Sequence, residues 1–436
     1  MRKAAGVGVV ASAWIYTAAH FFSSGIRQPL ANFRGDFLAS FPSWRLSVLF
    51  GRLDLYNGSL AARWAVKFGD GHPLWHYGPV QHLVTLPLFA FGDLHSAYKA
   101  WLIVNYAFLL AVLALASGAF PSGRSPWVWR SIVAIAVLNY GPLYEALTQR
   151  TIEIFELLLI FAAYALLLRR RPIASGVAIG FAAMAKFLPL IFLPYFAVKR
   201  RFRAFVSSMI VIALIAIATE SVFGWRYSGI VVQLRRGGQI DNALDQSLAG
   251  MIRRLLVRTH SSLSPAMVSR VAIVVALIAL SWLFLRARGC ATIADLEWST
   301  LIVAMVLLPP HNQQYYFVLL LFPYLALLAR ELRPDVRVNR ARRWWLATSF
   351  VLMGAVVPLS IVSQLTGTNF FLTYLVWDIP FIGAVILATI CVRAVLTECA
   401  SAQAGGHPTP ARRMHFERSE QQLCLSKTPS AISRHS

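Results

Sequence analysis

The sequence predicts an all-α polytopic membrane protein of the order of 10–12 transmembrane helices. Composition, run length and the placement of charge each point that way. Hydrophobic residues make up 58% of the 436 positions and charged residues 14%, against about 45–50% and about 25% in soluble domains. The apolar residues gather in runs of roughly 18–22, each long enough to cross a ~30 Å hydrocarbon core as a helix. These runs lack the polar face of a soluble amphipathic helix and the alternation of a membrane barrel. The net charge of +23 is spread as short clusters between the runs: Arg169-Arg170-Arg171, Lys199-Arg200-Arg201-Phe202-Arg203, Arg286-Ala287-Arg288, and Arg330 through Arg343. That is the pattern of cytoplasmic loops. A nucleic-acid binder gathers its basic residues on one soluble face, so no nucleic-acid partner is expected.

Met1-Arg2-Lys3 and the apolar run to Phe22 read as a signal anchor. Spans are expected at about 5–22, 97–118, 128–147, 151–168, 204–223, 265–285, 290–308, 316–329, 344–363 and 372–393. The basic clusters orient the later spans, so that 204–223 runs outward and 265–285 returns to Arg286. Residues 23–76 and 224–262 then form two long extracytoplasmic loops, with short outer turns at 309–315 and 364–371. Residues 77–92 and 173–198 are apolar but rich in Pro and Gly. Either both span, giving 12 helices, or both are re-entrant, giving 10. Broken backbone at membrane depth is tolerated only where it is buried in protein or lines a cavity, so both are candidates for a cavity wall. Residues 1–399 read as one transmembrane domain and 400–436 as a disordered cytoplasmic tail. Cys290, Cys391, Cys399 and Cys424 lie near cytoplasmic span ends or in the tail, and no extracytoplasmic disulfide is implied.

The candidate chemistry begins just beyond the first span, at Arg34-Gly35-Asp36-Phe37. Glycine allows close backbone approach, and a carboxylate at the bundle mouth can take a proton from an attacking hydroxyl. Residues 46–68 mix Trp, Leu and Phe with Arg and Lys, as in helices lying on a membrane surface, with Asn57-Gly58 as a turn. Lys186 stands inside an apolar stretch, where a charge is functional by default. It can pair with a phosphate or snorkel to the cytoplasmic interface. Glu153 and Glu156 open a span at its outer end and share a helix face. In the second outer loop, Arg235-Arg236 and the "DNALDQSLAGMIRRLL" segment offer guanidinium forks suited to phosphate. His311 lies in "PPHNQQYY", where it can hold a phosphate or tune an acid.

Taken together, these segments resemble the C superfamily of membrane glycosyltransferases. Within it they are similar to family 87, which includes polyprenol-phosphate-mannose-dependent mannosyltransferases. The resemblance covers about residues 5–330. It rests on Gly35-Asp36-Phe37, "GRLDLY" ending at Tyr56, "YGP" from Tyr77, "AKFLP" at 185–189, "DQSLAGMIRRL" at 245–255 and "PPHNQQYY" at 309–316. It implies Asp36 as catalytic base and His311 near a donor phosphate. It also implies a polyprenyl-phosphate-sugar donor, a lipid or glycan acceptor, inversion at the anomeric carbon, and a site in the cell (plasma or inner) membrane among its lipids. The transferred sugar is expected to be a mannose-like hexose or a pentose. The substrate-binding set is then Arg34, Tyr56, Tyr77, Lys186, Arg235, Arg236, Gln246, Arg253 and His311. Asp245 stands where the family commonly has Asn, and Asn312-Gln313-Gln314 replaces the usual surroundings of the late histidine. No cofactor is expected. Related folds sometimes use a divalent cation, but no second acid beside Asp36 forms a convincing pair. A transporter or lipid flippase, or a non-catalytic assembly subunit, would share the helices. Transporters usually show two related halves, and no internal repeat is seen.

Overall fold

The structure is a computed structural model that describes residues 2–32, 35, 37, 41, 79–120, 122–223, 245–290, 293–309, 312–334, 339–354 and 375–404. Every regular element among them is helical. Helix α1 (Arg2–His20) continues as a π-helical stretch (Phe21–Arg27) and one α-turn (Gln28–Ala31). The first helix therefore reaches Ala31 rather than stopping near Phe22. The Tyr106 hydroxyl donates to the Gly25 carbonyl at 2.5 Å, an external partner of the kind that accompanies a π-bulge.

A short helix α2 (Pro79–Thr85) and a 3₁₀ turn (Leu86–Ala90) lead to α3 (Leu94–Ala119). The Asp93 side chain caps α3 by accepting from the Ser96 N–H at 2.8 Å. The span expected at 128–147 is two helices, α4 (Pro126–Leu138) and α5 (Gly141–Gln149). Pro142 lacks an N–H and forces the break. The carbonyl so freed, Leu138 O, accepts from the Tyr144 hydroxyl, and Asn139 Nδ2 donates to Ile135 O and Thr17 Oγ1, both at 2.8 Å. The Tyr140 hydroxyl donates to Phe317 O at 2.9 Å.

After α6 (Glu153–Leu168) comes the segment whose course the sequence left open. It folds as α7 (Pro172–Ala185), a 3₁₀ turn (Leu188–Ile191) and α8 (Phe192–Val198), and is followed by α9 (Phe202–Phe223). Ser207 Oγ donates to Ile173 O at 3.0 Å, and Ser208 Oγ to Gly176 O at 2.8 Å. Gly180 lies against Val211. Residue numbers thus rise together along α7 and α9, so the two helices are parallel. The chain between them must double back, and Arg169–Arg171 and Lys199–Arg203 share one end of the bundle. Residues 172–198 form a re-entrant hairpin. Its first leg, 14 residues, is ~21 Å long at the α-helical rise. Glycine at 176 and 180 permits the close α7–α9 approach, because a Cβ at Gly176 would overlap Ser207 Oγ and the Ala204 carbonyl.

The chain continues through α10 (Leu248–Arg258), α11 (Pro265–Arg286), α12 (Ala294–Leu307), a 3₁₀ turn (Gln314–Leu320), α13 (Leu321–Glu331), α14 (Arg340–Gly354) and α15 (Ile379–Ala404). Helices α3, α9, α11 and α15 are each long and apolar enough to cross a membrane. Exposed Ile210, Leu214 and Ile217 on α9, and Val271, Val274 and Ile278 on α11, suit hydrocarbon contact. The core is aromatic. Phe322 packs on Phe120 (5.1 Å), Phe161 (5.0 Å) and Tyr164 (5.1 Å), and Trp298 packs on Phe192 (4.7 Å).

Ion pairs stitch the basic end. Lys199 bonds Glu297 at 2.7 Å and the Ala287 carbonyl at 2.8 Å. Arg330 forks onto Asp295 at 2.5 and 2.6 Å and also reaches Glu398. A disulfide that the sequence did not announce, Cys290–Cys399, joins the same end of α15 to the turn before α12. Cys391 is free and buried. Residues 79–92 do not cross either. Val80 packs with Ile152, and Leu88 with Ala97 and Trp101, all at the end opposite the basic clusters.

The hairpin predicts that single cysteines at Arg170 and Arg200 react with an impermeant thiol reagent from the same side of a membrane. Labelling from opposite sides would mean that 172–198 crosses. Gly176→Ala should lower stability by about 1–3 kcal/mol through overpacking, read as a fall in thermal unfolding temperature in detergent.

Candidate functional site

Among the described residues, the segments around Gly35, Lys186, Gln246 and Asn312 meet at the far end of the bundle, opposite the basic clusters. Their meeting point is the turn between α5 and α6. Residue 150 there is left-handed (φ 51°), and its guanidinium donates to the carbonyls of Asn32 (3.2 Å) and Pro29. The same group lies 3.1 Å from the Tyr98 ring centroid, and the Tyr98 hydroxyl donates to Asn32 O. The Arg150 carbonyl accepts from Trp101 Nε1 at 2.9 Å. Arg150 thus clamps the end of the first helix, where carbonyls lack helical partners. Gly35 follows at φ +114°, and a Cβ there would stand 2.5 Å from the Gln149 carbonyl. Only glycine fits that approach. Phe37 is buried, 4.7 Å from Phe41 and 6.0 Å from Trp101 between ring centroids. Gly35 and Phe37 are therefore fixed on either side of position 36.

The hairpin apex reaches the same place. Helix α7 ends at Lys186, whose backbone is extended (φ −153°, ψ 134°). Its neighbours Met184 and Ala185 pack with Val80 and Ile152. The Lys186 ammonium is ion-paired with Glu153 and stands 3.5 Å from the Tyr316 ring centroid. Lys186 is 4% exposed and does not snorkel toward the basic end. Glu153 and Glu156 open α6, where carboxylates suit the helix dipole. Both are fully buried. Neither oxygen of Glu156 has a hydrogen-bond partner among the described residues.

The late motifs close the ring. The Gln246 N–H donates to Asn312 O at 2.7 Å, and the Asn312 N–H donates to Asp245 Oδ1 at 2.9 Å. Segments 245–247 and 312–314 are thereby stapled together. Ser247 caps α10 by accepting from the Gly250 N–H at 3.0 Å. Gln246 is fully buried, with Nε2 on Leu375 O at 3.0 Å. Arg253 is half-buried on α10. Its neighbour Arg254 is committed to Asp378 (2.9 Å) and the Asp245 carbonyl (2.5 Å). Gln314 is 4% exposed, and neither of its amide atoms has a partner among the described residues.

Residues 75–310, just over half of the chain, match the model of glycosyltransferase family 87. The chain belongs to glycosyltransferase family 87. No curated protein and no solved structure matches it. For a family 87 glycosyltransferase the matched range is informative in itself. It contains α2, the hairpin, the α5–α6 turn and the 245–255 segment, whose far-end faces meet here. Of the expected site residues, Lys186, Gln246 and Arg253 are placed. Asp36, Arg34, Tyr56, Tyr77, Arg235, Arg236 and His311 lie outside the described residues. Arg150, Tyr316 and Gln314 were missed. Arg150 carried a faint signal, a lone arginine closing a span at the end opposite the clusters. Glu153 and Glu156 were noticed as a face, but not as neighbours of Lys186.

Removing one partner of a buried ion pair strands the other charge, at about 3–5 kcal/mol. Lys186→Met should therefore destabilise the protein strongly, and Lys186→Met combined with Glu153→Gln should recover part of the loss. Thermal unfolding of the two variants in one detergent tests this. A double variant no more stable than the single would show that the pair does not hold the apex.

Proposed function

We propose that this glycosyltransferase moves a mannose-like hexose or a pentose from a polyprenyl-phosphate donor to a lipid or glycan acceptor, at the extracytoplasmic face of the plasma or inner membrane. The observation that carries this reading is the meeting of four separate motifs at the end opposite the basic clusters. By the positive-inside rule, that end faces outward. Nucleotide sugars are not supplied there, whereas a lipid-linked donor reaches the site through the bilayer.

In this reading Asp36 accepts the proton of the acceptor hydroxyl as its oxygen attacks the anomeric carbon. The bond from that carbon to the phosphate oxygen breaks, polyprenyl phosphate leaves with the electron pair, and configuration inverts. Arg34 beside Asp36 keeps the carboxylate ionised. Tyr56 and Tyr77 border the substrate. The donor phosphate is assigned to Arg235, Arg236, Arg253 and His311 rather than to Lys186. The Lys186 ammonium is already ion-paired with Glu153, so it offers an anion no unspent charge. A transporter or flippase would need no acid at position 36.

Loss of a general base typically costs ~10²–10⁴-fold in rate. Asp36→Asn should reduce transfer by that factor, with donor affinity nearly unchanged. Purified wild type and variant, given a panel of polyprenyl-phosphate sugars, should show it in product formation. Equal rates would remove Asp36 from the mechanism.

A further inference from the structure

Among the acids whose side chains the structure describes, all but one are paired or serve as caps. Asp295 is held by Arg330, Glu297 by Lys199 and Tyr195, Glu331 by Arg342 and Arg343, and Asp378 by Arg254. Glu153 has Lys186. Glu156 is as buried as any of them, yet both of its oxygens lack a hydrogen-bond partner among the described residues. A buried polar group left in that state calls for an explanation, often a missing ligand. Gln314 repeats the pattern with both amide atoms, and it opens the 3₁₀ turn that packs against α6. Lys186 fixes the two elements together, since its ammonium contacts Glu153 on α6 and the Tyr316 ring on that turn.

The charges decide what can sit there. The one ion pair there, Lys186 with Glu153, is neutral overall, so neither a phosphate nor a cation finds an unspent counter-charge. A neutral polyol needs none. A carboxyl group and a primary amide both offer hydrogen-bonding atoms, and each sugar hydroxyl donates and accepts. We propose that Glu156 and Gln314 form the subsite that binds hydroxyls of the transferred sugar. The proposal rests on the glycosyl-transfer reading above and adds where the sugar is recognised. It separates the neutral part of the donor, held at the hairpin apex, from the anionic part, held by the arginines.

The test is binding rather than turnover. Purified full-length protein is titrated with bare polyprenyl phosphate and with polyprenyl-phosphate mannose, glucose and arabinose, followed by tryptophan fluorescence. Wild type should bind one sugar-bearing lipid more tightly than the bare one. Glu156→Gln and Gln314→Leu should each weaken that lipid about 3–10-fold, as for a lost neutral hydrogen bond. Both variants should hold bare polyprenyl phosphate within about twofold, because no anion contact is changed. A deoxy-sugar lipid lacking the contacted hydroxyl should be insensitive to Glu156→Gln, a result that a merely structural role would not give. Equal weakening of bare and sugar-bearing lipids, or an unchanged preference in both variants, overturns the subsite and leaves the transferase reading intact. A wild type that binds polyprenyl phosphate without preferring any sugar overturns it as well. A wild type that binds none of the lipids overturns the lipid-donor reading and the subsite together.

Discussion

The far end of this molecule depends on one ion pair, Lys186 with Glu153, formed where the polypeptide doubles back at membrane depth. A hairpin that stops short of crossing must end its helix among apolar neighbours, with the last carbonyls of α7 unpaired by any next turn. The chain answers with a lysine at the break. Its own N–H closes back on Ala182 at 3.0 Å, and its ammonium gathers the first turn of α6 and the Tyr316 ring. Breaking such a pair costs about 3–5 kcal/mol, a large part of the 5–15 kcal/mol typical of a folded domain. The apex, the α5–α6 turn and the start of the 314–320 turn are therefore one unit, and the site inherits its rigidity.

The two ends of the bundle handle buried polarity differently. At the basic end the buried charged pairs are joined, Arg330 with Asp295 and Glu398 and Lys199 with Glu297, and Cys290 is bonded to Cys399, although Arg201 Nη1, Trp298 Nε1 and Ser175 Oγ lack partners among the described residues. At the far end Glu156, Gln314, one oxygen of Gln246 and one of Asn312 have no such partners among the described residues. Arg150 is the far end's counterpart to the stitching, but it secures carbonyls of the first helix rather than an acid. The paired acids thus sit at one end and the unpaired Glu156 carboxyl at the other, where the proposed reading places sugar recognition.

Much of the scaffold was legible in the sequence. Run lengths gave the helical membrane class, and the arginine and lysine clusters marked one end. The hairpin was undecided because basic clusters flank both sides of 173–198, which suits either course. The deciding feature is the spacing of Gly176 and Gly180 against Ser207 and Ser208, a small-residue seam that fixes a parallel neighbour. That seam is readable only once a partner helix is known. The break in 128–147 was signalled by Pro142, though a run of apolar residues around it masked the signal. Lys186 drew attention as an intramembrane charge. Its partners lie 33 residues upstream at Glu153 and far downstream at Tyr316. No period in the sequence links positions at such separations, so the site emerged only from the fold.

An unpartnered carboxyl held in a packed interior lowers stability, since burial without a hydrogen bond costs roughly 1–3 kcal/mol by mutational measures. The surrounding structure tolerates Glu156 because α6 is over-determined. Its first turn is fixed by Lys186, its interior by Phe161 and Tyr164 in the aromatic core, and its far-end turn by Arg150. A group maintained at a loss in the free protein is one that a ligand can satisfy at no new desolvation cost. Such an arrangement discriminates sharply. A ligand lacking the matching hydroxyl leaves the acid as unsatisfied as before, while the matching one removes the whole penalty. In the proposed reading the donors share one polyprenyl phosphate and differ only in the sugar, so selectivity would come from the neutral half of the molecule. The polar groups without partners at the hairpin apex are the ones proposed to supply it.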